Sequence, residues 1–219
     1  MISHTHQCIF IHIPKTAGTS IEKKLDHFSK VKRDVQDHRS IREIEPFAKH
    51  QLSDLLNSRD PYLLKRINNR LRGQRAPSTS QYHSYYKFTF VRNTWSRIFS
   101  WYRNVMTNQF HKRERGITTE MDLHDFLVQF PNEWGTRPQM HWIMDSTGNI
   151  PMDFVGRFEN LAADFNKVGE TLGLADPMLP RLVVGEGMNY VDHYDQKSID
   201  LVHKRYRQEI AMFRFEFGE

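Results

Sequence analysis

Ile9-Phe10-Ile11-His12-Ile13-Pro14-Lys15-Thr16-Ala17-Gly18-Thr19-Ser20-Ile21-Glu22 is the stretch whose reading decides the fold. The apolar run from Cys8 to Ile13 has the composition of a buried strand. It stops at Pro14, turns through a short polar loop holding Lys15, and enters a helical pattern at about Thr19 that runs to about Phe28. A strand, a tight loop and a helix N-terminus in succession make an anion site, because loop N–H groups and the positive end of the helix dipole point at one spot. Lys15 adds a full charge and the neighbouring hydroxyls add further partners. The segment predicts a phosphate-bearing ligand. An ordinary strand-to-helix turn with an exposed lysine is the alternative.

The loop is not a Walker A loop, whose lysine follows the second glycine and immediately precedes the magnesium-binding hydroxyl. Here Lys15 precedes the only glycine of the turn, Gly18. The order Pro-Lys-Thr-Ala-Gly-Thr-Ser resembles the 5′-phosphosulfate loop of sulfotransferases that use 3′-phosphoadenosine 5′-phosphosulfate (PAPS), in the carbohydrate and heparan-type branch with its many bacterial-type members. The resemblance implies that Lys15 meets the bridging oxygen of the leaving phosphate and acts in catalysis. It implies that Thr16, Ala17, Gly18, Thr19 and Ser20 hold the 5′-phosphate through their N–H groups.

A second stretch repeats the design. Lys87 to Val91 reads as a buried strand, Arg92 ends it, and a helix begins near Thr94. Arg92 offers a planar fork for two phosphate oxygens, Asn93 or Thr94 can cap the helix, and Ser100 stands two turns further on. An arginine at a strand end with a serine eight residues later resembles the 3′-phosphate site of the same sulfotransferases, which implies that Arg92 and Ser100 bind the donor. Those relatives carry proline where this chain has Thr94, a place a threonine cap can fill. Trp95, Phe99, Trp101 and Tyr102 are read as core. Val155-Gly156-Arg157-Phe158-Glu159-Asn160-Leu161 and the ending from Ile210 to Phe217 are also similar to segments of bacterial relatives.

Further elements follow from periodicity: helical spacing over 40–57 and 122–130, a short strand at 153–157, a helix over 159–172 closed by Gly173, and a long amphipathic helix over 197–213. Residues 61–71 form another helical pattern, with Leu63, Leu64, Ile67 and Leu71 on one face and Lys65, Arg66, Arg70 and Arg72 on the other, Arg75 lying just beyond. That basic face is either a binding surface for an anionic glycan, lipid headgroup or polymer, or a solvated face. Strands alternating with helices predict an α/β fold, a P-loop-like three-layer arrangement with a central, mostly parallel sheet flanked by helices and the ligand at the carboxyl ends of the strands. No repeat or linker divides the 219 residues, so 1–219 is expected to be a single domain.

A net charge of +5 fits an anionic ligand or acceptor. The single cysteine, Cys8, excludes an internal disulfide and sits in the first strand as a core thiol. No signal-peptide pattern and no transmembrane run occurs, and the expectation is a cytoplasmic, bacterial-type protein. Sulfuryl transfer needs no divalent metal, and no second acidic strand end or His/Cys/Asp cluster stands at ligand spacing. Of the 12 histidines, His38 in Asp37-His38-Arg39-Ser40 is the candidate base. Similar proteins place a histidine and a small hydroxyl residue before a helix in this segment, which implies that role; a surface histidine is the alternative. His12, within the strand, reads as a satisfied core or cleft-wall residue, and Glu22 as a helix-face residue. The resemblance implies a carbohydrate or glycoconjugate acceptor, with segments around Arg137-Pro138-Gln139 and Tyr190 to Tyr194 shaping its cleft. The competing readings are a P-loop kinase using ATP and a non-catalytic polyanion-binding module. No nucleic-acid signature supports the latter.

Overall fold

The computed structural model describes residues 1–28, 36–46, 61–74, 76–180 and 188–219. Its centre is a sheet of β1 (Ile2–Ser3), β2 (Cys8–Ile11), β3 (Tyr86–Val91) and β4 (Phe154–Arg157), in that spatial order. β1 runs antiparallel to β2; β2, β3 and β4 are parallel, with Phe10 opposite Phe88 and Phe88 opposite Phe154.

The two-residue period of the strands sorts the core into layers. Ile9, Ile11, Ile13 and Val91 pack with Trp95, Ile98, Val202, Tyr206 and Ile210 on one face. Cys8, Phe10, Phe88 and Phe90 pack with Ile21, Leu25, Phe165 and Val168 on the other. The helices Thr94–Thr107 and Gln196–Phe213 therefore cover one side, and Gly18–Lys24 and Leu161–Thr171 the other. Both faces of a parallel sheet must be covered, so its strands read as continuous apolar runs in the sequence. This is the three-layer α/β arrangement that the alternation of strands and helices predicts.

Several boundaries differ from the sequence expectation for identifiable reasons. The helix expected over 40–57 opens as a single turn, Ile41–Ile44, that stops at Glu45, which is extended (φ −55°, ψ 147°) ahead of Pro46, where a helical conformation clashes with the proline ring. The rest of that expected helix, from Phe47 onward, and Arg75 lie outside the described residues. The helix after the first loop starts at Gly18 and stops at Lys24, well short of Phe28. A short helix, Thr79–Ser84, escaped the periodicity reading, yet its capping box is written in the sequence: Ser78 accepts from Gln81 N–H while the Gln81 side chain accepts from Ser78 N–H. Gly173 does end the Leu161–Thr171 helix, in the left-handed region at φ 65° that glycine adopts most cheaply.

Candidate active site

The carboxyl ends of β2 and β3 lie side by side, and the loops leaving them meet. In the first loop Lys15 (φ 71°) and Ala17 (φ 65°) both occupy the left-handed region. Residues with a Cβ enter it at a cost, and such strain gathers where a loop must take one particular shape. Thr16 is fully buried, its hydroxyl donating to the Ile13 carbonyl at 2.9 Å, so it offers a ligand at most its N–H. The Ala17 carbonyl accepts from Ser20 N–H at 3.0 Å and Ile21 N–H at 3.3 Å. The first N–H groups of the helix, at Gly18 and Thr19, have no intrahelical acceptor by geometry, and both residues line the cleft. Gly18 is required by its neighbour: a Cβ there would stand 2.0 Å from Cδ2 of His12.

Arg92 leaves β3 and reaches across to this loop. Its Nη1 donates to the Lys15 carbonyl at 3.2 Å, its Nε donates to Ser96 Oγ at 3.0 Å, and its guanidinium lies 4.1 Å above the centroid of the Phe158 ring. The backbone of Arg92 is clamped as well, its N–H donating to Gln139 Oε1 at 2.8 Å and its carbonyl accepting from Gln139 Nε2 at 2.8 Å. Gln139 is held by buried Glu209, whose Oε2 accepts from Gln139 N–H at 2.5 Å and whose Oε1 accepts from Gln139 Nε2 at 3.2 Å and from Thr94 Oγ1 at 2.8 Å. Asn93 caps the Thr94–Thr107 helix by accepting from Trp95 and Ser96 N–H. Thr94 is thus the first helical residue, where proline is readily accommodated, and not the cap. Glu159 accepts from Asn93 N–H at 2.8 Å, so the Arg157-Phe158-Glu159 segment supports the arginine loop from below.

Burial pushes the Lys15 ammonium down from its ordinary value, and the charge of Arg92 pushes it further. Burial likewise lowers Arg92 to about 10, opposed by Glu159 and aided by Arg97. Two cations held close together in a half-dry cleft are each relieved by an anion between them.

His38 faces the same space from an extended segment ahead of the Ile41–Ile44 turn. Its ring centroid lies 4.0 Å from that of His12 and 4.8 Å from that of Trp134. Nδ1 lies 3.1 Å from the His12 carbonyl, Nε2 lies 2.8 Å from the side-chain amide of Gln36, and that amide lies 2.6 Å from Thr19 Oγ1. Burial, with the neighbouring His12, lowers the His38 pKa to about 4, so the ring is neutral at pH 7. A carbonyl can only accept, so Nδ1 carries the proton and Nε2 keeps its lone pair. The Gln36 amide then turns its NH2 to Nε2 and its carbonyl to the Thr19 hydroxyl, an orientation that the hydrogen-bond network decides. The result is a neutral imidazole with its basic nitrogen on the cleft side.

His12 and Glu22 form a buried pair behind this ring. His12 Nδ1 lies 3.1 Å from Glu22 Oε1, which also accepts from Asp37 N–H at 3.0 Å. Burial drives the histidine down to about 3 and the carboxyl up, pressing each toward its neutral form. His12 is the satisfied cleft-wall histidine that its strand position predicts. Glu22 is no helix-face residue: it is fully buried and anchors both His12 and the segment that carries His38.

One cleft of about 750 Å³ is lined by Lys15, Ala17, Gly18, Thr19, Ser20, His38, Arg92 and Ser100 together with His12, Gln36, Phe99, Trp101, Arg103, His111 and Trp134. Every residue singled out for the donor and the base is in that lining except Thr16, whereas Arg137-Pro138-Gln139 and Tyr190 to Tyr194, expected to shape the acceptor cleft, are not. Arg92 bonds Ser96, while Ser100 lies farther along the same helix on the cleft wall. Trp95, Phe99 and Trp101 are buried and Tyr102 is partly buried against the same core, as expected for core residues, and Phe99 and Trp101 also line the cleft. Sequence reasoning missed Gln36, Ser96 and Glu209, and it gave Gln139 to the acceptor cleft, whereas Gln139 clamps the Arg92 backbone.

A family model described as the sulfotransferase family matches residues 1–216. Carbohydrate sulfotransferase 11 of Mus musculus and its counterpart in Rattus norvegicus are each 25% identical over 202 residues, covering 80% of this chain and 53% of the relative. The chain thus spans about half the length of the curated relatives it matches. No solved structure matches it.

Proposed function

The chain belongs to the sulfotransferase family, and from that premise we propose that it moves the sulfuryl group of PAPS to a hydroxyl of a carbohydrate or glycoconjugate. The observation that carries this reading is the Arg92–Lys15 bridge, 3.2 Å from guanidinium to carbonyl, which joins two anion-binding strand ends into one site. A single phosphate needs one such end; a doubly phosphorylated adenosine needs two. The 5′-phosphate rests on the N–H groups from Ala17 to Ser20, and the 3′-phosphate on Arg92 with Ser100.

Transfer is an in-line displacement at sulfur. The acceptor oxygen forms a bond to sulfur as the bond from sulfur to the bridging phosphate oxygen breaks, leaving a sulfate ester and adenosine 3′,5′-bisphosphate. His38 Nε2 takes the hydroxyl proton once the acceptor hydroxyl displaces the Gln36 amide from that nitrogen, and its Nδ1–H bond to the His12 carbonyl holds the ring in the tautomer that can do so. The Lys15 ammonium balances the charge that builds on the departing oxygen, where partial burial strengthens the interaction. No divalent metal enters this scheme, because the transferred group carries less charge than a phosphoryl group. The carbohydrate acceptor rests on the likeness to relatives named carbohydrate sulfotransferases. Trp134, which is exposed and lines the cleft, adds apolar surface against which a sugar ring can stack.

The test is transfer of label from sulfur-labelled PAPS to a panel of glycans and glycolipids. Label in a carbohydrate product that disappears with Lys15→Ala supports the reading. Phosphoryl transfer from ATP with magnesium, and none from PAPS, overturns it.

A further inference from the structure

The Pro61–Leu71 helix is amphipathic in the reverse sense. Its polar side grips the body of the protein: Arg66 donates from Nε to the Arg42 carbonyl at 2.6 Å and from Nη2 to Glu45 Oε1 at 3.1 Å, and Asn69 Nδ2 donates to Glu43 Oε1 at 3.4 Å. The Arg42 guanidinium sits 5.3 Å from the centroid of the Tyr62 ring on the same side. Its apolar side faces out, with Leu64, Ile67 and Leu71 exposed by 71%, 47% and 83%. Spacing of three and four places these side chains in one stripe. A surface helix ordinarily turns that stripe inward. Here the Arg66–Glu45 ion pair and the hydrogen bonds beside it fix the opposite orientation.

The borders of the stripe are cationic. Arg70 lies on one flank and Lys65 on the other, with Arg72 just past the end of the helix, and all of them are exposed. No Asp or Glu occurs from Pro61 to Gln74. Among the described residues no helix is long and apolar enough to cross a membrane, so the stripe is not part of a span. We propose that this helix seats the protein on an anionic lipid surface, lying in the plane of the interface. Leu64, Ile67 and Leu71 enter the headgroup–acyl boundary, while Lys65, Arg70 and Arg72 lay their stems along it and bring their charges to the lipid phosphates. A point acid on a protein would meet one flank; a planar anionic surface meets both at once.

Vesicle co-sedimentation of the whole protein tests this, using phosphatidylcholine vesicles with and without phosphatidylglycerol. The protein is expected to sediment with the anionic vesicles and to be released by salt. The Leu64→Ser/Ile67→Ser/Leu71→Ser variant keeps every charge, and its vesicle affinity is expected to fall by about tenfold or more. A Lys65→Gln/Arg70→Gln/Arg72→Gln variant is expected to lose the preference for phosphatidylglycerol. Equal binding of the serine variant would mean that net charge alone drives adsorption, and would overturn the proposal. So would absence of vesicle binding, including the case in which sedimentation velocity shows self-association that the serine variant abolishes, which would assign the stripe to a second copy of the chain.

Discussion

Replacing Glu209 with glutamine exchanges an acceptor oxygen for a donor NH2 at the centre of the network that aims Arg92. The carboxylate takes three hydrogen bonds, from Gln139 N–H, Gln139 Nε2 and Thr94 Oγ1. A carboxamide can satisfy two of them. With its oxygen at the Oε1 position its NH2 opposes Gln139 N–H; with its oxygen at the Oε2 position its NH2 opposes Gln139 Nε2. Each arrangement leaves one buried donor against another, a cost of about 2–3 kcal/mol. Glu209→Ala strands all three donors and opens a void, raising the cost to about 3–5 kcal/mol. The damage is not confined to stability, because Gln139 is the residue that clamps Arg92 through both its N–H and its carbonyl. Urea denaturation of Glu209→Gln is expected to show the stability loss, and calorimetric titration with adenosine 3′,5′-bisphosphate an affinity about tenfold weaker, roughly 1.4 kcal/mol. A variant that is destabilised by that amount but binds the bisphosphate as the native protein does would refute the link from Glu209 through Gln139 to Arg92.

Other substitutions separate the roles around the cleft. Lys15→Ala is expected to lower the transfer rate by about 10²–10³-fold while weakening bisphosphate binding by less than about tenfold, since its charge matters most in the transition state; single-turnover rates and titration check the split. Arg92→Ala is expected to weaken bisphosphate binding by about 10–100-fold through loss of charge-assisted bonds, with a smaller effect on turnover at saturating donor. The His38 pKa, lowered from 6.5 to about 4, places the acid limb of kcat/KM near pH 4, with no fall near pH 6.5, because the deprotonated ring is the active form. The same depression costs stability in acid: the unfolded chain protonates His38 below about pH 6.5 and the folded one only near 4, so up to about 3 kcal/mol disappears over that window, and thermal melts from pH 7 to 4 register it. Gly18→Ala drives a Cβ into the buried His12 ring, which packs at a tilt against His38, and a loss of about 1–3 kcal/mol in stability together with impaired turnover is expected from melting and rate measurements.

The three-layer fold was legible because strands covered on both faces write themselves as unbroken apolar runs, as Cys8–Ile13 and Lys87–Val91 do. The cleft residues were legible because β2 and β3 are each followed by a cation just before a helix. Thr94 shows the limit of that reading: the sequence permits it or Asn93 as the cap, and the choice of Asn93 follows from Glu209, some hundred residues away, claiming the Thr94 hydroxyl. Glu209 carries no local signal, and nothing local to Gln139, read with the acceptor cleft, points to Arg92. Each is one polar residue within an amphipathic pattern, and only the packing of the C-terminal helix on the Thr94–Thr107 helix brings them to Arg92. Glu22 misled for the same reason, since its helix position suggests solvent while His12 and the Asp37 N–H draw it into the core. The outward face of Pro61–Leu71 was likewise beyond periodicity, which finds an apolar stripe and cannot say which way it turns.

The central claim is that the strand ends at Lys15 and Arg92 form one site for a doubly phosphorylated adenosine. Paired calorimetric titrations of the wild-type protein with adenosine 3′,5′-bisphosphate and with ATP plus magnesium test it most directly. The account predicts tight, metal-independent binding of the bisphosphate, weakened by Arg92→Ala, and weaker binding of ATP. Tighter, magnesium-dependent binding of ATP, with the bisphosphate indifferent to Arg92, would contradict it.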